Sequence, residues 1–404
     1  MEVIMFRNHI FVNSMLVLVF IILFTAGLSA AEHADNDDIV IGKYRIVHSD
    51  ILGEDRQISV YLPYNYDQTA DRYPVLYLLD GDSESRLMLT ASTMEDIESR
   101  GGMPPMIVIG IDSPDATRDY FPFPYRDRPG TGQADNFLKF ITTELVPWVE
   151  DNYRTVDYKI LCGCSNAGLF TVNTFLAETT AFNAYIAASP SVGWFPDSML
   201  ARTKESLTGK TVSDRAIYMN YADDDLESIV SSAMPAFVTA FSDHASADLR
   251  WTMEVLENAG HVPYISYHNG LNFIFDGWKY PDSNLSDGGL EALQNHYGRL
   301  SDRYRFNVKV PSGHLADLAM DYFQTGDWDN ALEVFDYYSI EYPNSARCRY
   351  LMGATYEKRG DIAAAISHLE KAVELDPDFV PAKRKLEQLK AKRCLEFNID
   401  SIIP

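Results

Sequence analysis

A serine stands among small residues in the stretch Gly163-Cys164-Ser165-Asn166-Ala167-Gly168. The stretch directly follows a strand-like run, Lys159–Leu161, and precedes a helix-like run, Leu169–Leu176. Small neighbours permit a sharp strand-to-helix turn that exposes a strained nucleophile, and the helix amino terminus favours developing negative charge. The pattern therefore predicts Ser165 as a nucleophile, although Ala167 stands where a second glycine is usual. The alternative is a packed turn whose hydroxyl is simply satisfied.

A serine hydroxyl needs a neighbouring base to become a good nucleophile at neutral pH. When a nucleophile sits on such a turn, the acid and then the histidine follow it in the chain, after later strands. His261 follows the strand-like run Trp251–Leu256 after a short loop, which is the expected place for the base. His244 precedes that run, and His268 falls within the next helix-like stretch. We therefore predict His261 as the base.

The acid of such a site would hold the imidazole in the right tautomer and stabilise its charged form. The strand-like run Ala216–Tyr221 is followed by Ala222-Asp223-Asp224-Asp225-Leu226-Glu227. The expected acid lies in this cluster. Spacing alone leaves Asp223, Asp224 and Asp225 open, and a solvated acidic turn is the alternative.

Two backbone amides are expected to stabilise the oxyanion of an acyl-transfer reaction. The first is that of Asn166, next to the serine. The second should come from the loop after the run Val75–Leu79, where the sequence reads Asp80-Gly81-Asp82. The amide of Asp82 is the candidate because it follows the glycine. No metal-ligand spacing of Cys and His occurs in the sequence, so neither a metal nor a cofactor is expected.

Apolar strand-like runs alternate with helix-like stretches from Ile39 to about Phe275. Continuous apolar runs suit strands that are buried on both faces, and strand–helix alternation favours a mostly parallel, doubly wound sheet of the α/β class. A helix is expected over Asn136–Val149 from its apolar spacing. The predicted strands are Gln57–Leu62, Val75–Leu79, Met106–Ile111, Lys159–Gly163, Ala184–Ala188, Ala216–Tyr221 and Arg250–Leu256.

The C-terminal part of the chain contains an internal repeat. Gly326 and Gly360 are 34 residues apart, and the same offset relates two alanines, two prolines and two tyrosines. A helix–turn–helix period of this length resembles the tetratricopeptide repeat, or TPR. Two copies are followed by an amphipathic helix, Ala382–Arg393, that would cap the stack. Such a small all-α domain either binds a protein or peptide partner on its concave surface or serves as a buttress or dimer contact.

The N-terminal segment predicts export. Arg7 precedes an apolar run, Met15–Phe24, and small residues lead to Ser29-Ala30-Ala31, which is the order found in a signal peptide cleaved near Ala31. An uncleaved anchor is the alternative. The predicted organisation is a signal peptide over 1–31, a hydrolase domain over 32–285, a bridging helix and linker over 286–311, and TPR repeats with their cap over 312–404.

The composition excludes some partners. Lys and Arg total 34 against 58 Asp and Glu, so the formal net charge is −24. Such a surface repels phosphate backbones, and nucleic acid is therefore not an expected partner. Cys348 and Cys394 are predicted not to be bonded to each other, because the helical repeat places them too far apart for a disulfide.

From about Tyr44 to Phe275 the chain resembles the esterase family that includes enterobactin-type siderophore esterases, S-formylglutathione hydrolase and the mycolyltransferases. The resemblance implies the α/β-hydrolase fold and carboxylic-ester hydrolysis by a Ser–acid–His triad through an acyl-enzyme, with Ser165 and His261 at matching positions. Members with a C-terminal TPR tail look especially similar. The motifs that carry the resemblance are Tyr73–Gly81, Thr117-Arg118-Asp119, Glu144–Pro147, Asn152-Tyr153-Arg154, the turn at Ser165, and Ser189-Pro190-Ser191.

The resemblance also bears on the acid. In the family it commonly stands three residues after a glycine that ends its strand, and Ala222 occupies that place here, which selects Asp225. The alanine leaves Asp223 and Asp224 open. Cys164 and Asn166-Ala167 replace the His and Gly pair of many members, so substrate preference is expected to differ. Trp194, after the Ser-Pro-Ser motif, either lines the substrate pocket or packs in the core.

These observations predict an exported serine esterase that acts on a small-molecule ester, in the periplasm or the medium. The rivals within the same fold are a siderophore-lactone esterase and an acyltransferase. A rival of another class is a non-catalytic hydrolase-fold scaffold that supports a TPR interaction module. A homodimer through the TPR region is a further expectation.

Overall fold

A computed structural model describes residues 40–64, 66–81, 83–177, 180–212, 214–225, 228–261, 264–281 and 287–400, without the side chains of residues 228 and 394–400. The predicted signal peptide and Asp82 lie outside the described residues. From Gly42 onward, the described residues group into one compact unit. No helix of the described ranges is long and apolar enough to cross a membrane.

An eight-stranded sheet forms the centre of the first part of this unit. The strands are β1 Lys43–Ser49, β2 Glu54–Tyr61, β3 Tyr73–Leu79, β4 Ile107–Ile111, β5 Thr155–Cys164, β6 Ala184–Ala188, β7 Ala216–Ala222 and β8 Arg250–Leu256. Their order in the sheet is β1-β2-β4-β3-β5-β6-β7-β8. The pairs β1–β2 and β2–β4 are antiparallel, and the pairs from β4 through β3 and β5 to β8 are parallel.

The core of the sheet follows from its apolar runs. Every residue of β3, β4 and β6 is buried, as expected for strands covered on both faces. The α/β class and the mostly parallel sheet are confirmed. Strand β1 was not predicted, because it lies at the edge of the sheet and exposes most of its side chains. Edge strands carry only a weak apolar pattern.

Helices connect the strands and continue into the C-terminal part of the chain. The helix predicted over Asn136–Val149 is present as two helices, α3 (Ala134–Phe140) and α4 (Val146–Asn152), joined by a π-helical turn at Ile141–Leu145. The helices are α1 Glu84–Ser99, α2 Ala116–Asp119, α3 Ala134–Phe140, α4 Val146–Asn152, α5 Asn166–Leu176, α6 Pro196–Leu207, α7 Ser228–Ser231, α8 Met234–His244, α9 Ile265–Ile274, α10 Gly289–Tyr304, α11 Ser312–Thr325, α12 Trp328–Glu341, α13 Ala346–Arg359, α14 Ile362–Leu375 and α15 Val380–Asp400.

The repeats form two helix pairs, α11 with α12 and α13 with α14. Their turns are alike: Asp327 accepts a hydrogen bond from the Asn330 amide, and Asp361, 34 residues later, accepts one from the Ala364 amide. These aspartates cap α12 and α14. Helix α15 contacts α14, where a capping helix was expected. Cys348 is buried with a free thiol, and the side chain of Cys394 is not described.

Helix α10, which the sequence assigned to a bridge and linker, packs on the hydrolase domain. Its last residue, Tyr304, is 1% exposed. The Tyr304 ring lies 5.2–5.3 Å, centroid to centroid, from those of Tyr158, Phe275 and Trp278. Its hydroxyl donates to the Ile274 carbonyl oxygen at 2.8 Å. This aromatic cluster joins α10 to the end of α9 and to β5.

Candidate active site

Ser165 lies in a sharp turn between the last residue of β5 and the first residue of α5. Its backbone has φ 56° and ψ −119°, and a positive φ is uncommon for a non-glycine residue. The turn is tight, because a Cβ added at Gly163 would lie 2.5 Å from the Ala167 carbonyl oxygen. The Ser165 amide donates to the Ala188 carbonyl oxygen at 2.9 Å, which ties the turn to the end of β6. The strained turn predicted from the sequence is therefore present.

The Ser165 side chain lies next to a second hydroxyl and a buried thiol. The side chain is only partly buried, and its Oγ lies 3.3 Å from Ser191 Oγ. The Ser191 amide donates to the Ser165 carbonyl oxygen at 3.1 Å. The preceding thiol, Cys164, is buried, and burial raises its pKa. Cys164 is therefore a protonated packing residue rather than a competing nucleophile.

His261 and Asp225 meet beyond the ends of two neighbouring strands. Because β7 and β8 are parallel and adjacent, the loops that follow them leave the same edge of the sheet. His261 Nδ1 lies 3.0 Å from both Asp225 Oδ1 and Asp225 Oδ2. The Asp225 side chain is 0% exposed and that of His261 is 28% exposed. A buried carboxylate beside Nδ1 favours the tautomer with its proton on Nδ1, in which Nε2 is able to accept a proton.

The other two aspartates of the cluster have different partners. Asp223 Oδ1 accepts a hydrogen bond from the Asn258 amide, and Asp224 Oδ1 accepts one from the Gly260 amide, each at 2.8 Å. Both carboxylates thus hold the backbone of the loop that carries His261. Among the three candidates that the sequence left open, the structure brings Asp225 to the imidazole.

The amide of Asn166 lies at the first position of α5, where helix amides have no partner within the helix. It therefore lies next to the serine, as the oxyanion prediction requires. The second predicted donor, Asp82, is outside the described residues. The turn that leads to it is held firmly: Asp80 has φ 53°, and its Oδ1 accepts the Tyr120 hydroxyl proton at 2.7 Å.

Two residues that the sequence did not single out support the Asp80 turn. Tyr120 Oη accepts a hydrogen bond from the Asp80 amide, and Arg86 pairs with Asp80 Oδ2 at 2.8 Å. Burial and the Asp80 carboxylate raise the pKa of Tyr120, which keeps its hydroxyl protonated. Burial opposes the charge of Arg86, but the neighbouring Asp80 carboxylate favours it, and the Arg86 pKa is raised. The only sequence signal was the position of Tyr120 directly after the Thr117-Arg118-Asp119 motif.

Trp194, predicted as a pocket or core residue, lies beside the serine turn. Its Nε1 donates to Asn166 Oδ1 at 2.8 Å. Its ring centroid lies 5.6 Å from that of Phe121 and 5.1 Å from that of Tyr125. Trp194 is partly buried, so it both packs against these rings and borders the turn.

A nucleophile turn after β5, a carboxylate after β7 and a histidine after β8 define an α/β-hydrolase fold with a candidate Ser–His–Asp site. Residues 49–226 match the family model described as "Putative esterase", and residues 313–378 match one described as "Tetratricopeptide repeat". Residues 49–226 are thus similar to this esterase family and residues 313–378 to the tetratricopeptide repeat, the two resemblances that the sequence predicted.

Two curated relatives and one solved structure illustrate the similarity. The chain is 30% identical to the ferri-bacillibactin esterase BesA of Bacillus subtilis over 40% of its own length and 63% of that protein. It is 30% identical to a siderophore triacetylfusarinine C esterase of Aspergillus fumigatus, over 40% of its own length and 60% of that protein. The chain thus spans less than two thirds of the length of either relative.

The crystal structure of an IroE-like serine hydrolase from Shewanella oneidensis superposes with a TM-score of 0.62 at 24% identity. The match covers 72% of this chain and 97% of that chain. At this identity the likeness concerns the fold alone, and it agrees with the mostly parallel sheet described above.

Proposed function

We propose that this protein is a serine esterase that hydrolyses carboxylic esters through an acyl-enzyme, with Ser165, His261 and Asp225 as its triad. The observation that carries the proposal is the contact of His261 Nδ1 with both oxygens of buried Asp225, on the sheet edge where the Ser165 turn lies. The family match over residues 49–226 supports the same chemistry.

The proposed reaction has two halves. Ser165 Oγ attacks the ester carbonyl carbon while His261 Nε2 takes the hydroxyl proton, and the Asn166 amide faces the developing oxyanion. The C–O bond to the alcohol breaks, and the alcohol leaves with the proton from His261. Water then attacks the acyl-serine, again through His261, and the acid leaves as Ser165 regains its proton. Asp225 holds Nδ1–H throughout and stabilises the imidazolium.

Siderophore esters are the substrate class that the relatives favour. One of the curated relatives described above is named a ferri-bacillibactin esterase and the other a siderophore triacetylfusarinine C esterase. We therefore propose testing iron-loaded siderophore esters after simple aryl esters. Transfer of the acyl group to an alcohol instead of water is the competing outcome, because one triad can serve both reactions.

Export and a TPR partner are further parts of the proposal. The order of Arg7, the apolar run and the small residues near Ala31 supports a cleaved signal peptide and action outside the cytoplasm. The TPR match supports contact with a protein or peptide, or with a second copy of the chain.

The test compares the mature chain with Ser165→Ala and Ser191→Ala in p-nitrophenyl acetate and butyrate hydrolysis. Ser191 is the matched control because its hydroxyl lies 3.3 Å from that of Ser165. We expect a fluorophosphonate to label the wild type and Ser191→Ala but not Ser165→Ala, whose turnover is lost. Folded wild-type protein without turnover or labelling would refute the esterase and favour the scaffold alternative.

A further inference from the structure

The turns after β7 and β8 stay bonded to each other beyond the end of the sheet. The last paired residues are Ala222 and Leu256. The Asp223 amide then donates to the Leu256 carbonyl oxygen at 3.0 Å. Beyond this bond, the acceptors in the loop after β7 are side-chain carboxylates rather than backbone carbonyl groups. The next two bonds are those from the Asn258 and Gly260 amides to the side chains of Asp223 and Asp224.

The loop that receives these bonds has an unusual backbone. Asn258 has φ 51° and Gly260 has φ 70°, so two of the four residues between β8 and His261 are left-handed. Asparagine and glycine are the residues that adopt this region most readily. Even so, a short exposed loop has other accessible conformations, and each would move the imidazole. The hydrogen bonds from the Asn258 and Gly260 amides stabilise one of these loop conformations.

We propose that Asp223 and Asp224 are positioning residues that hold the His261 loop in the conformation in which Nδ1 meets Asp225. The three consecutive aspartates then have different roles: Asp223 and Asp224 bind loop amides, and Asp225 binds the imidazole. This inference rests on the proposed esterase function. Asp223 and Asp224 bind the amides of Asn258 and Gly260, so each would act on the imidazole through the loop backbone.

The chemistry of the bonds makes the proposal specific. An amide donor needs an oxygen acceptor at Oδ1, and an asparagine side chain supplies one without the negative charge. Asparagine should therefore preserve the loop at either position, whereas alanine should release it. If the aspartates acted by their charge on the imidazolium, asparagine and alanine would be equally harmful.

The experiment measures p-nitrophenyl butyrate hydrolysis per fluorophosphonate-titrated site in the full mature chain. Displacements of about 1 Å in a catalytic group cost up to about a hundredfold in rate. We expect kcat to fall about tenfold in Asp224→Ala and further in Asp223→Ala/Asp224→Ala, with KM within about threefold of wild type. The Asp224→Asn variant should recover to within about threefold of the wild-type kcat.

Asp248→Ala is the matched control. Asp248 is also an exposed aspartate, but it precedes β8 and so lies at the opposite end of that strand from His261. A merely structural role would lower the melting temperature or the titrated fraction of sites, without changing kcat per site. Hydrogen exchange in the segment 257–261 adds a readout independent of activity. Exchange should be faster in Asp224→Ala and unchanged in Asp224→Asn.

The outcomes separate the two proposals. Wild-type kcat per site and unchanged exchange in the double alanine variant would overturn the positioning role while leaving the esterase intact. Equal losses in Asp224→Asn and Asp224→Ala would overturn the hydrogen-bond mechanism. An inactive wild type that no fluorophosphonate labels would instead refute the esterase itself.

Discussion

Asp225→Asn changes the chemistry of the buried contact with His261 while preserving its shape. Both carboxylate oxygens lie 3.0 Å from Nδ1, and the side chain has no solvent exposure. In the variant one of these two atoms is an amide nitrogen that carries two protons. The buried site loses its anion in either orientation of the amide, and in one orientation it also presents a donor to the imidazole.

The size of the effect follows from this geometry. A carboxylate stabilises an imidazolium at about 4 Å between charge centres by about 4 kcal/mol at an effective dielectric constant of about 20. At about 1.4 kcal/mol for each factor of ten, this corresponds to a loss of about a thousandfold in kcat. If the amide nitrogen faces Nδ1, the proton moves to Nε2, which can no longer accept the Ser165 proton. We therefore expect a fall of about 10³- to 10⁴-fold.

The assay is p-nitrophenyl butyrate turnover beside the two neighbouring variants, Asp223→Asn and Asp224→Asn. These remove the same charge from the same loop, but they retain the oxygen that accepts an amide proton. We expect both to stay within about threefold of the wild type and the melting temperature of Asp225→Asn to change little. A kcat for Asp225→Asn within tenfold of the wild type would refute the assignment of the acid.

Two further predictions concern stability. Tyr304→Ala should cost about 3–5 kcal/mol of unfolding free energy, because it removes a fully buried ring. Tyr304→Phe loses only one hydrogen bond and should cost about 1 kcal/mol. Equal melting temperatures for the two variants would contradict the role of the aromatic cluster. Arg118 donates a hydrogen bond to Glu54 and holds the pKa of that carboxyl below its usual value of 4.5. The stabilisation of the folded state by this pair is therefore present above pH 4.5 and is lost as the pH falls. The melting-temperature difference between wild type and Glu54→Gln should therefore close between pH 7 and pH 3, and a constant difference would count against this pair.

Local patterns predicted most of the fold. The strands β3 to β8 lie where the sequence predicted strands. Those from β3 to β7 contain continuous apolar runs, because burial on both faces demands such runs, whereas β8 is only partly buried. The edge strand β1 and the antiparallel direction of β2 were not predicted. An exposed strand has little apolar signal, and strand direction depends on where the chain returns to the sheet.

Within the candidate site, sequence patterns were enough to select Ser165 and His261 as the proposed nucleophile and base. Ser165 needs a strained turn, and that requirement shows locally as small residues at Gly163 and Ala167. His261 was found by its order after the last strand. Its role, like that of Ser165, awaits the assays above.

The acid could not be chosen from spacing, because consecutive aspartates occupy almost the same place in the chain. A loop points successive side chains in different directions, so tertiary contacts assign Asp223 and Asp224 to loop amides and Asp225 to His261. The same holds for Tyr120 and Arg86, which meet Asp80 from distant parts of the chain.

Sequence by itself therefore determined the α/β class, the repeats and the strained turn at Ser165, since each is encoded in the spacing of nearby residues. Only the tertiary structure decided which carboxylate reaches the imidazole, what holds the Asp80 turn, and that α10 packs on the hydrolase domain through Tyr304. The physical reason is that hydrogen bonds and ring contacts depend on where distant segments meet. The periodicity of residues along the chain does not encode these contacts between distant segments.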